Sequence, residues 1–445
     1  QLINRTLAAR ATREHAEIVL IAETGGQNAL VVDSSALPEQ VVQDAISSAF
    51  DSAGQRCSAL RVLCLQEEIA DKTIAMLKGA MQELRVGNPD RLATDIGPVI
   101  DADARANLQQ HITQMQAAGP VYQLPLPAET AHGTFVAPTL IEIDRLDRLQ
   151  REVFGPVLHV LRYRRAELPA LIDAINATGY GLTFGVHSRI DETIDYITAR
   201  THAGNIYVNR NIVGAVVGVQ PFGGEGLSGT GPKAGGPLYL KRLQRHADDR
   251  LGPHTVHEPH ADAQHAPALQ ALLRWAASHG HQTICELSDH YIHHTPLGRS
   301  LVLSGPTGER NTLSFAARGA VLCAASNVAG LLNQLCAVLA TGNTPLLTVA
   351  SQALLPSGLP AEVHASVRSL PDLNDASAAF QIALVDTALA AQIRAQLAAR
   401  RGALVALIET TASAPIALWR LVAERAVCVN TTAAGGNASL MTLTP

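Results

Sequence analysis

Ser52-Ala53-Gly54-Gln55-Arg56-Cys57-Ser58 sets one cysteine among small, polar and charged neighbours, and upstream Glu23-Thr24-Gly25-Gly26 does the same for a carboxylate. A thiol and a carboxylate in such settings fit a nucleophile and a base: a thiolate adds to a carbonyl, and a separate base later activates water against the thioester. The glycines let backbone and substrate come close. Residues 38–50 read as a helix with Val41, Val42, Ala45, Ile46 and Ala49 on one face, and Gly54 stops it. Cys57 is therefore expected on a loop between that helix and a strand; Arg56 is a neighbouring cation able to favour the thiolate, though the sequence alone does not place its guanidinium.

The other cysteines read differently. A free cysteine is most often a small buried hydrophobe, and Cys64, Cys285, Cys323, Cys336 and Cys428 fit that description. Cys64 lies in Leu60-Arg61-Val62-Leu63-Cys64-Leu65, and Cys323 and Cys336 lie in apolar stretches.

The chain has 445 residues, 47% of them hydrophobic, which is enough for more than one core. Its 34 basic and 39 acidic side chains leave a net charge of −5, and no basic arm or helix offers a nucleic-acid surface. Six scattered cysteines without a signal segment point to reduced thiols and a cytoplasmic location. The most apolar stretch, 316–340, is broken by Ser326, Asn327, Asn333 and Gln334, so no transmembrane segment is expected. Strand patterns at 158–163 and 206–209 alternate with helix patterns at 69–84, 102–118, 168–176 and 191–200, as in an α/β sheet with crossover helices. His254, His257 and His260 recur at a three-residue spacing, but Pro253 and Pro259 interrupt any helix that would align them, so a linker is expected and no metal site. His290, His293 and His294 are assigned to a polar loop.

The runs around Glu23 and Cys57 resemble the aldehyde dehydrogenase superfamily, in which these residues are general base and nucleophile. Two further runs are similar to it in the same order: Arg151-Glu152-Val153-Phe154-Gly155-Pro156-Val157, and Gly204-Asn205-Ile206-Tyr207-Val208-Asn209 followed by Pro221-Phe222-Gly223-Gly224. Each motif is weak alone; together and in order they are specific. The resemblance implies that Glu152 bonds the nicotinamide ribose of NAD, that Phe154 packs near the nicotinamide, and that the segment with Phe222 closes the substrate pocket. The wording of 22–42, 53–64 and 209–237 is similar to the pyrroline-5-carboxylate dehydrogenase module of long bifunctional proline-oxidising proteins. In that branch Ser58 and the backbone amides of Gly214 and Ala215 would hold the substrate carboxylate, a recognition by donors without a second charge. The implied reaction is oxidation of glutamate semialdehyde to glutamate. The implied partner is a proline dehydrogenase module of the same parent chain, where FAD would reside, and the expected assembly is a homodimer.

The resemblance also implies a domain plan. Residues 1–33 match only the end of an NAD-binding Rossmann-like domain, with 2–9 helical and 18–21 a strand. The phosphate-binding turn, the adenosine-ribose lysine and the oxyanion asparagine of the family would lie before Gln1, so the chain is expected to be a fragment that binds NAD poorly. Residues 34–245 form the three-layer catalytic domain, 246–267 a linker, and 268–445 a degenerate Rossmann-like, aldehyde-dehydrogenase-like domain. Two echoes mark the last: 339–348 resembles the cofactor-domain segment that carries the lysine, with Thr348 in the lysine's place, and Ala426-Val427-Cys428-Val429-Asn430, followed by Gly435 and Gly436, weakly resembles Asn205 to Gly218. Residues 431–443 are expected to act as a flap over the substrate tunnel. Two other classes stay open: a cysteine hydrolase drawing on His15, His111, His132 or His159, and a non-catalytic structural fragment.

Overall fold

The computed structural model describes residues 1–14, 18–117, 119–244, 256–257, 266–375 and 377–432. Two compact units emerge. One comprises Gln1–Glu23, Gly229–Val302 and Thr312–Arg425; the other comprises Thr24–Ser228, Leu303–Asn311 and Ala426–Pro445. The linker histidines His254 and His260, His15, and nearly all of the expected flap lie outside the described residues.

In the unit that holds Cys57, short apolar strands are buried on both faces, as parallel strands covered by crossover helices must be. Ala29–Val32 sits centrally, paired in parallel with Val62–Gln66 on one side and Thr183–His187 on the other. The sheet continues through Val157–Tyr163 and Thr139–Ile143 to an antiparallel edge at Val121–Gln123. On its other side it continues through Asn205–Val208 to residues 426–429 of the strand Val422–Asn430, again in parallel. The expected elements are present: Pro38–Phe50, Glu67–Gln82, Ala102–Met115, Leu168–Ala177 and Asp191–Arg200 are helices. Val41, Val42, Ala45 and Ala49 of the first are buried, the face their spacing indicates.

The other unit carries a wholly parallel five-stranded sheet. Its order is Arg368–Leu370, Thr344–Thr348, Ala320–Ala324, Ile382–Asp386, Ala406–Thr410. Numbered along the chain this is 3-2-1-4-5, the doubly wound order of a dinucleotide-binding fold. Helices Pro267–Ser278, Gln282–His294 and Val328–Ala340 pack together, and Leu272, Leu287, Leu331, Leu335 and Cys336 share one core.

Local hydrogen bonds close the turns at the carboxyl ends of these strands. In the turn after the first strand, Asn327 caps the helix by accepting from the Gly330 N–H at 2.9 Å. The Asp386 carboxylate, from the end of the fourth strand, accepts from the Ser326 hydroxyl and lies by Ser326 N at 3.4 Å. A protein anion thus stands beside the helix amino end that dinucleotide folds offer to phosphate. Thr348 caps a short helix by accepting from Ser351 N at 3.1 Å.

Two sequence readings are corrected. Residues 18–21 form no strand: they are extended and half-buried, and the pairing there is a single antiparallel bridge between Glu23 and Gly229. His290, His293 and His294 are not in a loop but on the last turns of the helix Gln282–His294, where the ring nitrogens of His293 and His294 reach carbonyls one turn back. Their polarity reflects an exposed helix face, which a window without strong apolar periodicity conceals. Leu2–Glu14 is helical, longer than the expected 2–9.

Candidate active site

Cys57 is delivered by a left-handed turn. Ser52, Ala53 and Gly54 all have positive φ, at 56°, 55° and 64°, directly after the helix Pro38–Phe50. Two of these are not glycine, so the turn holds backbone strain that the surroundings must offset. Gly54 is required for a second reason: a Cβ there would lie 2.2 Å from the Gly155 carbonyl oxygen. Gln55 fastens the turn to its neighbour segment, donating to the Pro98 carbonyl at 3.2 Å and accepting from Ile100 N at 2.8 Å.

Two buried side chains lock the thiol-bearing segment. Asn28, just before the central strand, donates to the carbonyls of Cys57 at 2.7 Å and Ala59 at 2.8 Å, while its own oxygen accepts from Thr183 N at 3.1 Å. Arg61 is fully buried. Its guanidinium donates to the carbonyls of Gly54 at 2.7 Å, Arg56 at 3.0 Å and Gly155 at 3.3 Å, and to the Glu152 carboxylate at 3.0 Å. It also lies 5.1 Å from the centre of the Phe154 ring. One guanidinium therefore ties the nucleophile turn to the segment with Glu152 and Phe154. Burial pulls its pKa down, while Glu152 and the Cys57 thiolate charge pull it back up. Arg56, the cation expected to assist the thiol, is exposed and donates to the Ser52 hydroxyl at 3.0 Å. The signal for Arg61 was an arginine at the mouth of an otherwise apolar strand.

Glu152 and Phe154 present different faces. Burial pushes the Glu152 carboxyl above the ordinary range, against the pull of Arg61 and of the Gly26 N–H. A Cβ on Gly25 would lie 2.4 Å from Glu152 Oε2, and one on Gly26 would meet Asn28 at 2.4 Å and the Cys57 carbonyl at 2.7 Å. The two glycines after Glu23 are thus packing requirements of this site. Phe154 is 44% exposed, an unusual state for phenylalanine that leaves an aromatic ring open beside a carboxylate.

The remaining expected residues fall on the segment after Asn205–Val208. Asn205, nearly fully buried, donates to the Pro221 carbonyl at 2.8 Å and accepts from Gly223 N at 3.2 Å, bracketing Phe222. Gly214 has φ +77° and is exposed, followed by half-buried Ala215. Ser58 is buried, and its carbonyl accepts from the Thr183 hydroxyl at 3.1 Å. Glu23 belongs to the other unit, where it is exposed on its bridge to Gly229.

Asn28, Cys57 and Phe154 lie at the amino ends of the central strands, each shortly before a strand of the sheet. The usual crevice of open α/β sheets is at the carboxyl ends. The part-exposed Glu152 carboxylate and the open ring of Phe154, both braced by buried Arg61, can meet a hydroxylated ligand carrying a planar ring, beside a thiol on a fixed turn. Two of the histidines pair with each other: His159 Nδ1 lies 3.0 Å from the Arg61 carbonyl and its Nε2 lies 2.9 Å from His111 Nε2. Because a carbonyl only accepts, His159 donates from Nδ1 and accepts at Nε2 from His111. Both nitrogens of His159 are committed. Among the described residues no group of three His, Cys, Asp or Glu side chains could hold a metal ion, and no helix is long and apolar enough to cross a membrane.

The chain is similar to known proteins along its whole length. It is 52% identical to the bifunctional protein PutA of Escherichia coli over 99% of this chain and 35% of that protein. It is 38% identical to the 1-pyrroline-5-carboxylate dehydrogenase of Geobacillus kaustophilus over 50% of this chain and 43% of that one. The structure of proline utilization A from Corynebacterium freiburgense superposes on 96% of this chain and 41% of its own, with a TM-score of 0.67 at 24% identity, which shows the fold. The chain spans about a third of the length of the bifunctional relatives it matches. The model of the aldehyde dehydrogenase family matches residues 3–247, and the chain belongs to that family.

Proposed function

We propose that this chain carries the L-glutamate γ-semialdehyde dehydrogenase centre of a bifunctional proline-oxidising protein, acting in the cytoplasm on the second step of proline catabolism. The observation that carries the reading is the Arg61 clamp, which joins the Cys57 turn to Glu152 and Phe154 in one rigid piece. Catalytic geometry of this kind must be held by buried neighbours if a thiolate is to meet its carbonyl in the right orientation. The relatives named PutA and 1-pyrroline-5-carboxylate dehydrogenase support the substrate.

In the mechanism, the Cys57 thiolate adds to the aldehyde carbon and forms a thiohemiacetal. The Cys57 backbone N–H serves as one donor to the oxyanion. Ser58 and the amides of Gly214 and Ala215 hold the substrate carboxylate, and Phe222 packs against its methylene chain. Glu152 and the open ring of Phe154 fit the nicotinamide ribose end of NAD, which when bound supplies the hydride acceptor. Oxidation leaves a thioester on Cys57. Glu23 takes a proton from water, which attacks the thioester and releases glutamate and the thiol.

We further propose that the protein works as a homodimer with a proline dehydrogenase module that carries FAD. The deciding assay follows NADH formation from glutamate semialdehyde and p-nitrophenyl acetate hydrolysis without NAD, for the full-length gene product and its Cys57→Ala variant. Oxidation lost in the variant supports the dehydrogenase; ester hydrolysis without any oxidation in the parent favours a cysteine hydrolase and sinks the reading.

A further inference from the structure

The loop that would anchor the substrate carboxylate is bracketed at both ends by residues from distant parts of the chain. At its root, Asn209 has φ +54°, an uncommon conformation for a non-glycine residue, and its carbonyl accepts from Gln40 at 2.7 Å and Asn430 at 3.0 Å. The Asn209 side chain in turn bonds both the N–H and the carbonyl of Ser188, at 3.0 and 2.9 Å. At its far end, Gln220 is nearly fully buried. Its oxygen accepts from Val216 N at 2.9 Å, next to Ala215, and its amide nitrogen donates to Glu309 at 3.0 Å and Asn311 at 3.1 Å. Because the partners are an N–H on one side and a carboxylate on the other, only one orientation of the Gln220 amide satisfies both.

Glu309 is the hub of this network. Its carboxylate also pairs with Arg210, which lies 3.0 Å from the Cys428 sulfur and 5.4 Å from the centre of the Tyr207 ring. The exposed turn 214–218, with positive φ at Gly214 and Gly218, therefore stands on a buried polar base. Such networks fix geometry when every member is satisfied and fail when one is not.

We propose that Glu309, Asn311 and Asn430 are positioning residues for the Gly214–Ala215 anchor, acting through Gln220 and Asn209, and that they set the preference for aldehydes bearing a carboxylate. This rests on the proposed function above, and it gives two late segments of the chain, Leu303–Asn311 and the strand ending at Asn430, a part in substrate selection. The contacts touch the loop, not the thiol, so they act on recognition of the carboxylate and leave the nucleophile in place.

The test compares glutamate semialdehyde with propanal, which lacks the carboxylate, and measures L-glutamate binding by calorimetry, all on the full-length gene product. Gln220→Met keeps side-chain length and removes the bond to Val216; it is expected to raise the KM for the semialdehyde and the Kd for glutamate about tenfold, with the values for propanal changed far less. Because removing Glu309 alone would strand Arg210, the second variant is Arg210→Met with Glu309→Met, which removes both charges and should show the same loss of discrimination. Wild-type discrimination in both variants overturns the inference while leaving the proposed function intact. A wild-type protein that neither oxidises the semialdehyde nor binds glutamate overturns the function, and the inference with it.

Discussion

Replacing Arg61 by methionine tests the clamp directly. The guanidinium makes four hydrogen bonds, three to carbonyls and one to the Glu152 carboxylate, and is wholly shielded from water. Methionine fills similar volume, so the change is mainly loss of polar partners rather than a cavity. The carboxylate left behind is 15% exposed on its side chain, and an uncompensated partner of a buried pair costs about 3–5 kcal/mol. Part of this returns when Glu152 protonates, which its burial already favours. The net expectation is about 3 kcal/mol lost in urea unfolding at neutral pH. If the orphaned charge dominates, Arg61→Met with Glu152→Gln should be more stable than Arg61→Met alone by at least about 1 kcal/mol, a coupling characteristic of contacting pairs. Peptide-resolved alkylation of Cys57 by iodoacetamide reads the same clamp from the thiol side, and Arg61→Met should slow it. An Arg61→Met stability within about 0.5 kcal/mol of the parent, together with additive effects in the double variant, would refute the clamp.

Three further expectations follow from particular contacts. Gly54→Ala should cost roughly 2–3 kcal/mol and slow Cys57 alkylation, because the new methyl meets a backbone carbonyl and the residue must keep a positive φ; an unaffected variant would contradict the described turn. Burial drives the His159 pKa down to about 3, so the unfolded chain binds a proton near pH 6.5 that the folded chain refuses, and stability should fall by about 1.4 kcal/mol per pH unit from roughly 6.5 towards 3. That slope, read from urea midpoints across pH, should lessen by up to one proton in His159→Gln. Cys57→Ala should abolish both NAD-linked oxidation and esterase activity in the full-length gene product while its melting temperature moves by no more than a few degrees, since the thiol is only half-buried; retained turnover would displace Cys57 as nucleophile.

The elements around the site were legible because their patterns are local. The amphipathic spacing of 38–50 gives the helix Pro38–Phe50 with its expected buried face, and 191–200 gives Asp191–Arg200. The loop position of Cys57 follows from that helix and the apolar strand after it. What the sequence concealed are long-range partners. Arg61 stands at the mouth of an apolar strand, which marks it as unusual, but no local rule says that its guanidinium reaches Gly155 and Glu152. Asn28 beside Gly26 reads as a plain polar residue until the Cys57 and Ala59 carbonyls arrive. The misread stretch 18–21 fails for the converse reason: an apolar run has strand propensity, but a strand exists only where a partner edge meets it.

The echo between 205–209 and 426–430 shows how a weak sequence signal can carry structural meaning. The two segments are adjacent parallel strands in register, with Ala426 beside Asn205, Val427 beside Ile206, Cys428 beside Tyr207 and Val429 beside Val208. This register places Asn209 and Asn430 at the same level, one step beyond the last pair, and the Asn430 amide donates to the Asn209 carbonyl. The two asparagines then diverge in use: Asn209 turns back to Ser188 inside the unit, while Asn430 accepts from Thr432 N at 3.0 Å and closes its own turn. Matching alternation along the two segments suits them to lie side by side in this register. Asn430→Ala should therefore loosen the Asn209 corner, as measured by faster hydrogen exchange at 209–216. Unchanged exchange there would mean that Asn209 is held by Gln40 and Ser188 alone.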